Sequence, residues 1–574
     1  MRLRRLLFAA VLALLCAGAL YASFQASRAS AAAPLSSYAP PGALLAIESP
    51  DFASVLRQWT GSPEQKRWLG SENYAGFSRS RLFGRLAEAQ TQFATTVGLA
   101  PDTAFLEAIA GKESLFAWYD IGKLEFLYIT RMPEGGLEKT PLFELRSRFQ
   151  ERKVGDTTFY MRTDQDTNRT VAFAARGDLL LLATSADLMA SALDLMQKPT
   201  DRRLGSEQWY AVAVAAAART PGDLRMTMNL DRIVPSPYFR SYWIQQNITE
   251  LKQYTAAISD LYREKSEFRE ERTLLPVKVE DLPAPAELSA ILAYVPVDTG
   301  VYRAVAGPSV DEALGQLDDR LLVRAANAYR DPRIAPLADI SVPTAGSTSD
   351  LEQFIDEPFI AADPRAVASQ SLKAAITRAQ LKAMLVYSSA AGAQAETADP
   401  IFTSIHAAVV LQAAEPWSEA DLQRALTTAL GPTISVAAQG LSWTAQRDPA
   451  GDWSELDGVY GLALAVRGTI CVIATDRATL RQSLLAVKSG DRSSQVATVV
   501  GGFSHAAERE PFLHIAGLVD HSGAPVASVE GNSPPFLSGN VGSLSNTFRD
   551  LASENFVETS AAGTTSQTVV YRWR

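Results

Sequence analysis

Two stretches of the chain match each other: AARGDLLLLAT at residues 174–184 and AVRGTICVIAT at residues 465–475. Each reads as a strand, an Arg-Gly turn, an apolar second strand and then a helix. Gly177 and Gly468 supply the backbone freedom that a tight hairpin needs. Thr184-Ser185 and Thr475-Asp476 are suited to cap the helix that follows. The constant offset of 291 residues predicts a chain built twice from one unit.

Further matches extend the repeat in both directions. The alternating stretch LRMTMNLD at 224–231 predicts a half-buried strand, and LHIAGLVD at 513–520 matches it 289 residues later. Towards the N-terminus, PGALLAI at 41–47 is similar to PAELSAIL at 285–292. Each of these pairs is expected to occupy the same place in its own copy of the unit.

The ends of the two copies set the domain boundaries. Each copy finishes in a β-rich segment, Glu267–Leu275 in the first and Thr564–Trp573 in the second. We therefore predict one repeat unit over residues 34–280 and a second over residues 281–574. Prolines at 332, 336, 343, 358 and 364 predict an irregular insertion near 330–365 in the second unit.

Periodicities of two and of 3.6 residues are mixed inside each unit. Ser114–Tyr119 and Leu124–Thr130 predict a β-hairpin that turns at Gly122. Paired strands with helices between them are typical of an α+β fold of antiparallel or mixed sheets with packed helices. One helix of about 20 residues is predicted from apolar residues that share a face: Trp243, Ile244, Ile248, Leu251, Thr255 and Ile258.

The first residues have the form of an export segment. Three arginines among the first five residues precede an uncharged run from Leu6 to Phe24. As a helix, a run of 19 residues extends about 28 Å, close to the roughly 30 Å core of a bilayer. This length favours an anchor that stays in the inner membrane, whereas Ala29-Ser30-Ala31 offers a cleavage site. Residues 1–33 are thus a signal peptide or a membrane anchor.

The two cysteines of the chain exclude a disulfide framework. Cys16 lies in the export segment behind Leu15, where a lipid-attachment site would have Gly, Ala or Ser, so we expect an ordinary apolar residue there. Cys471 has no partner beyond that segment for an intramolecular disulfide. It lies between Ile470 and Val472, and burial in that apolar strand is expected to raise the pKa of its thiol and make it unreactive.

The charge balance argues against a polyanionic partner. The chain has 574 residues, with 54 Lys and Arg against 63 Asp and Glu and a net charge of −9. No basic cluster interrupts this mixture, so we expect no nucleic-acid partner. The densest charged run, residues 263–272, alternates both signs. It predicts an exposed face whose charges compensate each other.

Motifs for catalysis and cofactor binding are missing from the sequence. The four histidines are His406, His505, His514 and His521, and they show no His-x-x-x-His spacing typical of zinc sites. We expect the last three, which lie within 17 residues, on separate strands and loops. No Gly-x-Ser-x-Gly elbow or phosphate-binding loop occurs, and Trp209-Tyr210 is interpreted as core. We predict no catalytic, metal-ligating or cofactor-binding residue.

The opening strand and the repeated hairpin resemble those of a family of uncharacterised exported bacterial proteins that carry a domain of unknown function. Members of that family open with a proline-led strand of the type PADTLLYL. Here PPGALLAI at 40–47 holds that place, with Gly42 where the family has an acidic residue, and RGDLLL at 176–181 holds the hairpin. The resemblance implies an envelope location and no established activity, and it transfers no site residues.

These features favour a non-catalytic envelope protein with a binding or scaffolding role. We expect it to be exported to the periplasm and either anchored by residues 6–24 or released by cleavage near Ala31. The expected partner is an envelope protein or an apolar ligand. The alternative is an extracytoplasmic hydrolase whose site is assembled from dispersed residues. The sequence leaves the oligomeric state open.

Overall fold

The structure, a computed structural model, describes most of the chain after residue 32. Two compact units divide it: unit 1 falls within Met1–Arg57, Arg85–Ala215 and Leu224–Trp243, and unit 2 within Gln58–Gly84, Ala216–Asp223 and Ile244–Arg574. Apart from Ile121, Ser266, Ala506 and Ala562, the described residues are 33–70, 74, 78, 81–217, 220–236, 251–279, 283–318, 321, 364–390, 405–434, 442–457, 462–489, 494–508 and 551–573.

The described strands fall into two groups, one in each unit. Those of unit 1 are β1 (Leu45–Ser49), β2 (Ser114–Asp120), β3 (Glu125–Arg131), β4 (Gln150–Val154), β5 (Thr157–Thr163), β6 (Thr170–Arg176), β7 (Leu179–Ala183) and β8 (Leu224–Asn229). Those of unit 2 are β9 (Tyr254–Arg263), β10 (Glu267–Pro276), β11 (Ala286–Glu287), β12 (Val301–Ala306), β13 (Leu381–Ala390), β14 (Ile405–Ala413), β15 (Ser442–Gln446), β16 (Trp453–Asp457), β17 (Ala463–Arg467), β18 (Ile470–Ala474), β19 (Val496–Ala497), β20 (Val499–Ser504), β21 (Leu551–Ala561) and β22 (Thr564–Trp573).

Helices of very different length connect these strands. They are α1 (Phe52–Trp59), α2 (Pro63–Leu69), α3 (Arg81–Val97), α4 (Thr103–Ile109), α5 (Pro141–Glu144), α6 (Ala186–Gln197), α7 (Gln208–Ala216), α8 (Leu230–Ile233), α9 (Ser289–Leu292), α10 (Val310–Leu317), α11 (Pro364–Ala379), α12 (Glu419–Ile434) and α13 (Arg477–Ser489). Short 3-10 turns lie at Leu35–Ser37, Leu137–Lys139, Arg146–Arg148 and Leu204–Ser206.

The strands of unit 1 pair antiparallel in the order β8-β1-β2-β3-β7-β6-β5-β4. Successive side chains of a strand point to opposite faces, so the apolar strand β7 contributes to two cores. Leu181 belongs to a buried cluster with Met189 of α6. Leu180 belongs to another with Phe105 of α4. The sheet of unit 1 is therefore covered by helices on both faces.

In unit 2, twelve strands pair antiparallel in the order β9-β10-β22-β21-β20-β12-β13-β14-β18-β17-β16-β15. The strand β18 again serves two cores. Val472 packs in a cluster with Leu480 of α13, and Cys471 packs in a cluster with Leu422 of α12. The predicted α+β fold with antiparallel sheet is confirmed.

One strand order is common to both units. Eight neighbouring strands of each unit correspond one to one. The order in unit 1 is β8-β1-β2-β3-β7-β6-β5-β4, and the matching order in unit 2 is β20-β12-β13-β14-β18-β17-β16-β15. The two matching stretches of sequence are the hairpins β6–β7 and β17–β18. Their turn glycines, Gly177 and Gly468, both have φ of +60°, a left-handed conformation that favours glycine.

One of the sequence matches does not correspond in the fold, and another falls on residues that the structure does not describe. Residues 285–292 were matched to β1, but they form the two-residue strand β11 and helix α9, because Leu288, Ile291 and Leu292 are buried at helical spacing. The strand in the place of β1 is β12. Residues 513–520, which were matched to β8, lie outside the described residues, and the strand beside β12 is β20.

The predicted 20-residue helix is wrong at its C-terminal end. Thr255 and Ile258 lie in β9, which pairs along its length with β10, and Leu251 precedes that strand. These residues form a strand despite their helical spacing, because pairing with β10 gives the backbone N–H and C=O groups of β9 hydrogen-bond partners and buries Ile258. The other predicted members, Trp243, Ile244 and Ile248, lie outside the described residues.

No helix within the described ranges is both long enough and apolar enough to cross a membrane. The predicted export segment, with Leu6–Phe24, Cys16 and the cleavage site near Ala31, lies outside those ranges. The predicted insertion near 330–365 also lies outside those ranges up to residue 363, and α11 begins at Pro364.

Candidate functional site

Unit 1 contains a cavity of about 550 Å³ between its sheet and the helices α1, α3 and α4. Known small-molecule sites have volumes of roughly 300–1,000 Å³, so this space is large enough for a ligand. Aromatic rings dominate its wall: Phe52, Phe93, Phe105, Phe116, Phe126 and Tyr128.

The strand registers place these side chains on one face of the sheet. Phe116 of β2 lies opposite Tyr128 of β3 and opposite Ile47 of β1. Alternate positions of a strand share a face, so Ser114 and Phe126 join them. The rings of Phe116 and Phe126 have centroids 4.9 Å apart, and they form a continuous aromatic floor.

Helical spacing supplies the opposite wall. Ala89 and Phe93 lie about one turn apart on α3, as Phe105 and Ile109 do on α4, and all four line the cavity. The rings of Phe93 and Phe105 meet edge to face with centroids 5.6 Å apart. Asp102 caps α4 by accepting a hydrogen bond from the backbone N–H of Phe105 at 2.9 Å. The cap thereby holds the first turn of α4 against the cavity.

The cavity runs from a buried inner wall to an exposed mouth. Ser114, Tyr128 and Ile109 are buried, whereas Gln90 is exposed and Leu106 is 38% exposed. Lining residues that are also open to solvent mark an entrance. A ligand would therefore pass Gln90 and Leu106 before it reached the inner wall.

Three hydroxyl groups meet at the inner wall. Ser114 Oγ lies 2.6 Å from Thr130 Oγ1 and 3.2 Å from the hydroxyl oxygen of Tyr128. The Tyr128 hydroxyl donates to the carbonyl of Ile109 at 3.2 Å, and the Thr130 hydroxyl donates to the carbonyl of Glu113 at 3.2 Å. Ser114 and Tyr128 line the cavity, as the buried Ser49 does, so hydroxyl groups are its polar features away from the mouth.

The described residues that line the cavity include no Asp, Glu, Lys, Arg or His. Burial raises the pKa of Tyr128 and outweighs the hydrogen bonds with Ser114 and Thr130 that lower it. The phenol is therefore neutral at physiological pH. Because a buried charge is unfavourable without a partner of opposite sign, the cavity is suited to uncharged apolar molecules.

Of the described histidines, His406 lies closer to a carboxylate than His505 does. On β14, its Nδ1 lies 2.6 Å from Oδ2 of Asp476. Asp476 also caps α13, because its Oδ1 accepts from the backbone N–H of Thr479 at 2.9 Å. Among the described residues, no serine, threonine or cysteine side chain is hydrogen-bonded to His406. The pair thus ties a strand end to a helix start.

Of the three histidines expected on separate strands and loops, the structure describes His505. Its ring packs against Phe503 with centroids 4.6 Å apart, and burial lowers the pKa of His505. His514 and His521 lie outside the described residues. Within the described part of the chain, no group of three His, Cys, Asp or Glu side chains is placed to hold a metal ion.

Cys471 behaves as its sequence predicts. It is fully buried in β18, and burial raises the pKa of its thiol to about 12.

The charged run at 263–272 pairs its charges, with Arg269 beside Glu271 and Arg272 bonded to Glu270 at 2.6 Å. The predicted exposure is wrong for the part in β10, which is half-buried because β9 and β22 flank it.

The other residues singled out in the sequence have structural roles. Trp209 and Tyr210 pack against the core of unit 1, and the Tyr210 hydroxyl donates to Glu48 Oε2 at 2.8 Å. Ser185 occupies the N-cap of α6, but its side chain makes no capping bond.

The cavity was not predicted from the sequence. Its signal was the alternation of aromatic residues along the β2–β3 hairpin, notably Phe116 and Phe126.

Comparisons with known proteins give little guidance. No family model and no curated protein matches the chain. Solved structures of crystal forms I and IV of TP0453 align with 10% identity and a TM-score of 0.24 over 43% of this chain, and the alignments cover 79% and 81% of theirs. A likeness this weak assigns neither fold nor function.

Proposed function

We propose that this chain is a non-catalytic binding protein that holds an apolar ligand in the cavity of unit 1. The observation that carries the proposal is the cavity itself, with about 550 Å³ of space, an aromatic wall and an entrance at Leu106. Removing apolar surface from water contributes about 25 cal/mol per Å². A ligand enclosed by this wall would bind mainly through that effect.

The matching place in unit 2 supports a division of roles. There β12, β13 and α10 surround a space of about 100 Å³, and its wall includes Arg303 and Glu312. We propose that the two units descend from one duplicated unit of antiparallel sheet with packed helices. The first carries the binding role, and the second serves as a scaffold or contacts an envelope protein.

We further propose that residues 1–33 direct export, so that both units act in the periplasm of a bacterial envelope. The arginines before Leu6 and the uncharged run to Phe24 support this address. Cell fractionation tests it. A chain anchored by residues 6–24 stays with the inner membrane, whereas a chain cleaved near Ala31 is released with the periplasm. Recovery of the full-length chain in the cytosol would contradict both.

A substitution that fills the cavity tests the proposed binding role. Ala89→Trp on α3 places an indole in the cavity, so we expect binding of the neutral fluorophore N-phenyl-1-naphthylamine to weaken about tenfold or more, the effect of about 1.4 kcal/mol of lost binding. Fluorescence titration measures it. Ala104→Trp is the matched control, because Ala104 lies exposed on α4 outside the wall.

The control variant should bind the fluorophore as the wild type does. Circular dichroism should be the same for the three proteins. The proposal fails if the wild type does not bind, or if both tryptophan variants bind equally well.

A further inference from the structure

The hydroxyl cluster on the inner wall has fewer protons than contacts. Ser114, Tyr128 and Thr130 supply three hydroxyl protons. They share four contacts, which are Ser114 with Thr130, Ser114 with Tyr128, Tyr128 with the Ile109 carbonyl and Thr130 with the Glu113 carbonyl. The backbone N–H of Gly111 also donates to Thr130 Oγ1 at 3.0 Å. One of the four contacts is therefore always left without a proton.

The shortage of hydroxyl protons determines which ligand groups the cluster can bind. A serine or tyrosine oxygen accepts hydrogen bonds through its lone pairs and donates only one. With their protons committed inside the cluster, Ser114 and Tyr128 offer acceptor capacity to the cavity and no spare donor. A ligand group that is a hydrogen-bond donor can therefore donate to Ser114 or Tyr128, whereas an ether or ester oxygen would face other acceptors.

Burial makes this preference matter energetically. Ser114 is 4% exposed and Tyr128 is 6% exposed, and the surrounding wall is aromatic. A buried polar group without its hydrogen bond costs more than a typical hydrogen bond contributes. A charged head group would fare worse at this wall, because the described lining residues hold no ion of opposite sign.

We infer that the cavity takes a neutral apolar molecule with a single hydroxyl group, bound with the hydroxyl against Ser114 and Tyr128 and the hydrocarbon part directed towards Leu106. Long-chain alcohols are the simplest members of this class. The inference rests on the proposed function, since it presupposes that the cavity is a binding site, and it names which apolar molecules are preferred.

Three probes of equal chain length separate the alternatives. 1-Dodecanol, its methyl ether and dodecanoate compete with N-phenyl-1-naphthylamine for the full chain, and fluorescence reports the displacement. We expect the alcohol to bind about threefold to tenfold more tightly than the ether, the effect of one net hydrogen bond. Dodecanoate should bind no more tightly than the ether, because its charge stays at the mouth.

A variant assigns the preference to the cluster. Ser114→Ala should reduce the ratio between alcohol and ether to about one and leave the affinity for the ether unchanged. Ser191→Ala is the matched control, since Ser191 lies exposed on α6 outside the lining, and it should keep the wild-type ratio. If Ser114→Ala proves unstable, Tyr128→Phe with the same probes provides the second reading, with a smaller ratio expected.

Each outcome has one meaning. If no probe displaces the fluorophore and the fluorophore itself does not bind, the proposed function fails. If alcohol and ether compete equally in the wild type, the cavity binds apolar molecules but the inferred preference is wrong. Tighter binding of dodecanoate than of dodecanol also overturns the inference, because it would require a cation at the site.

Discussion

At the start of α13, the side chain of Asp476 holds three groups together. It accepts hydrogen bonds from Thr475 and Thr479 and pairs with His406. Burial alone would raise the pKa of Asp476, but the hydrogen bonds with His406 and Thr479 outweigh it and hold the pKa below its ordinary value. The ionised form is therefore the one that the folded chain stabilises.

Asp476→Ala should destabilise unit 2 by about 1–2 kcal/mol at neutral pH, the usual effect of losing an N-cap. A carboxylate with a depressed pKa contributes stability above its unfolded pKa of about 3.9, and that contribution is lost as the pH falls through the lower folded value. The difference between variant and wild type should therefore shrink below about pH 4. Urea unfolding at a series of pH values measures it.

Asp311→Ala is the matched control, because Asp311 lies in the first turn of α10 with an exposed side chain paired to Lys373. Exposed ion pairs contribute little, so this variant should unfold nearly as the wild type does at every pH. Equal losses for the two variants would mean that Asp476 is not a special cap.

Single residues differ in how far the sequence reveals them. The burial of Cys471 follows from its two apolar neighbours, and the cap at Asp476 follows from its place before a helical pattern. The partner of Asp476 does not follow, because His406 is 70 residues away along the chain. The cavity was missed for the same reason, since its aromatic residues come from strands and helices that only the folded chain brings together.

The hairpins β6–β7 and β17–β18 turn at glycines with the same positive φ. A Cβ at Gly468 would meet no atom within 4 Å, so any cost of adding one comes from the backbone conformation alone. Gly468→Ala should therefore destabilise unit 2 by about 1–2 kcal/mol. Urea unfolding measures the change.

Gly315→Ala serves as its matched control. Gly315 lies inside α10, and an added Cβ there also meets no atom within 4 Å. Alanine favours a helix interior by about 0.8–1.0 kcal/mol over glycine, so this variant should be more stable than the wild type. The same sign for both variants would contradict the role assigned to the left-handed turn.

Elements with local signals were predicted well. The predicted β2–β3 hairpin and the predicted β-rich segments Glu267–Leu275 and Thr564–Trp573 lie close to the observed bounds of β2, β3, β10 and β22. The strand β9 was mistaken for the end of a helix, because Thr255 and Ile258 fit helical spacing as well as they fit a strand. The choice there is made by β10, which pairs with β9 and buries Ile258.

Across the molecule, unit 2 joins strands that are far apart in the chain. β22 pairs with β10 on one side and with β21 on the other. Thr568 lies in the middle of β22, opposite Glu271 and Val557. A proline there removes a ladder hydrogen bond whichever neighbour the N–H faces.

Thr568→Pro should therefore destabilise unit 2 by about 1–3 kcal/mol, the usual cost of a buried backbone group left without its hydrogen bond. Amide hydrogen exchange should speed up in β10, although it lies almost 300 residues earlier in the sequence. The amides of β7 in unit 1 serve as the internal reference and should exchange at their wild-type rates. Thr568→Ala keeps the N–H and should leave β10 protected; unchanged exchange in β10 of the proline variant would refute this account.

The pairing of β10 with β22 also has a consequence for the growing chain. A ribosome adds roughly 5–20 residues per second. Because β22 lies about 290 residues after β10, it is synthesised about 15–60 s later. During that interval β10 is an open edge, the kind of strand that recruits other chains into aggregates. Its alternating charges, among them Arg269, Glu270 and Glu271, act as gatekeepers against such recruitment. The charged run would thus disfavour aggregation of the unpaired strand, and in the finished sheet its charges pair with one another.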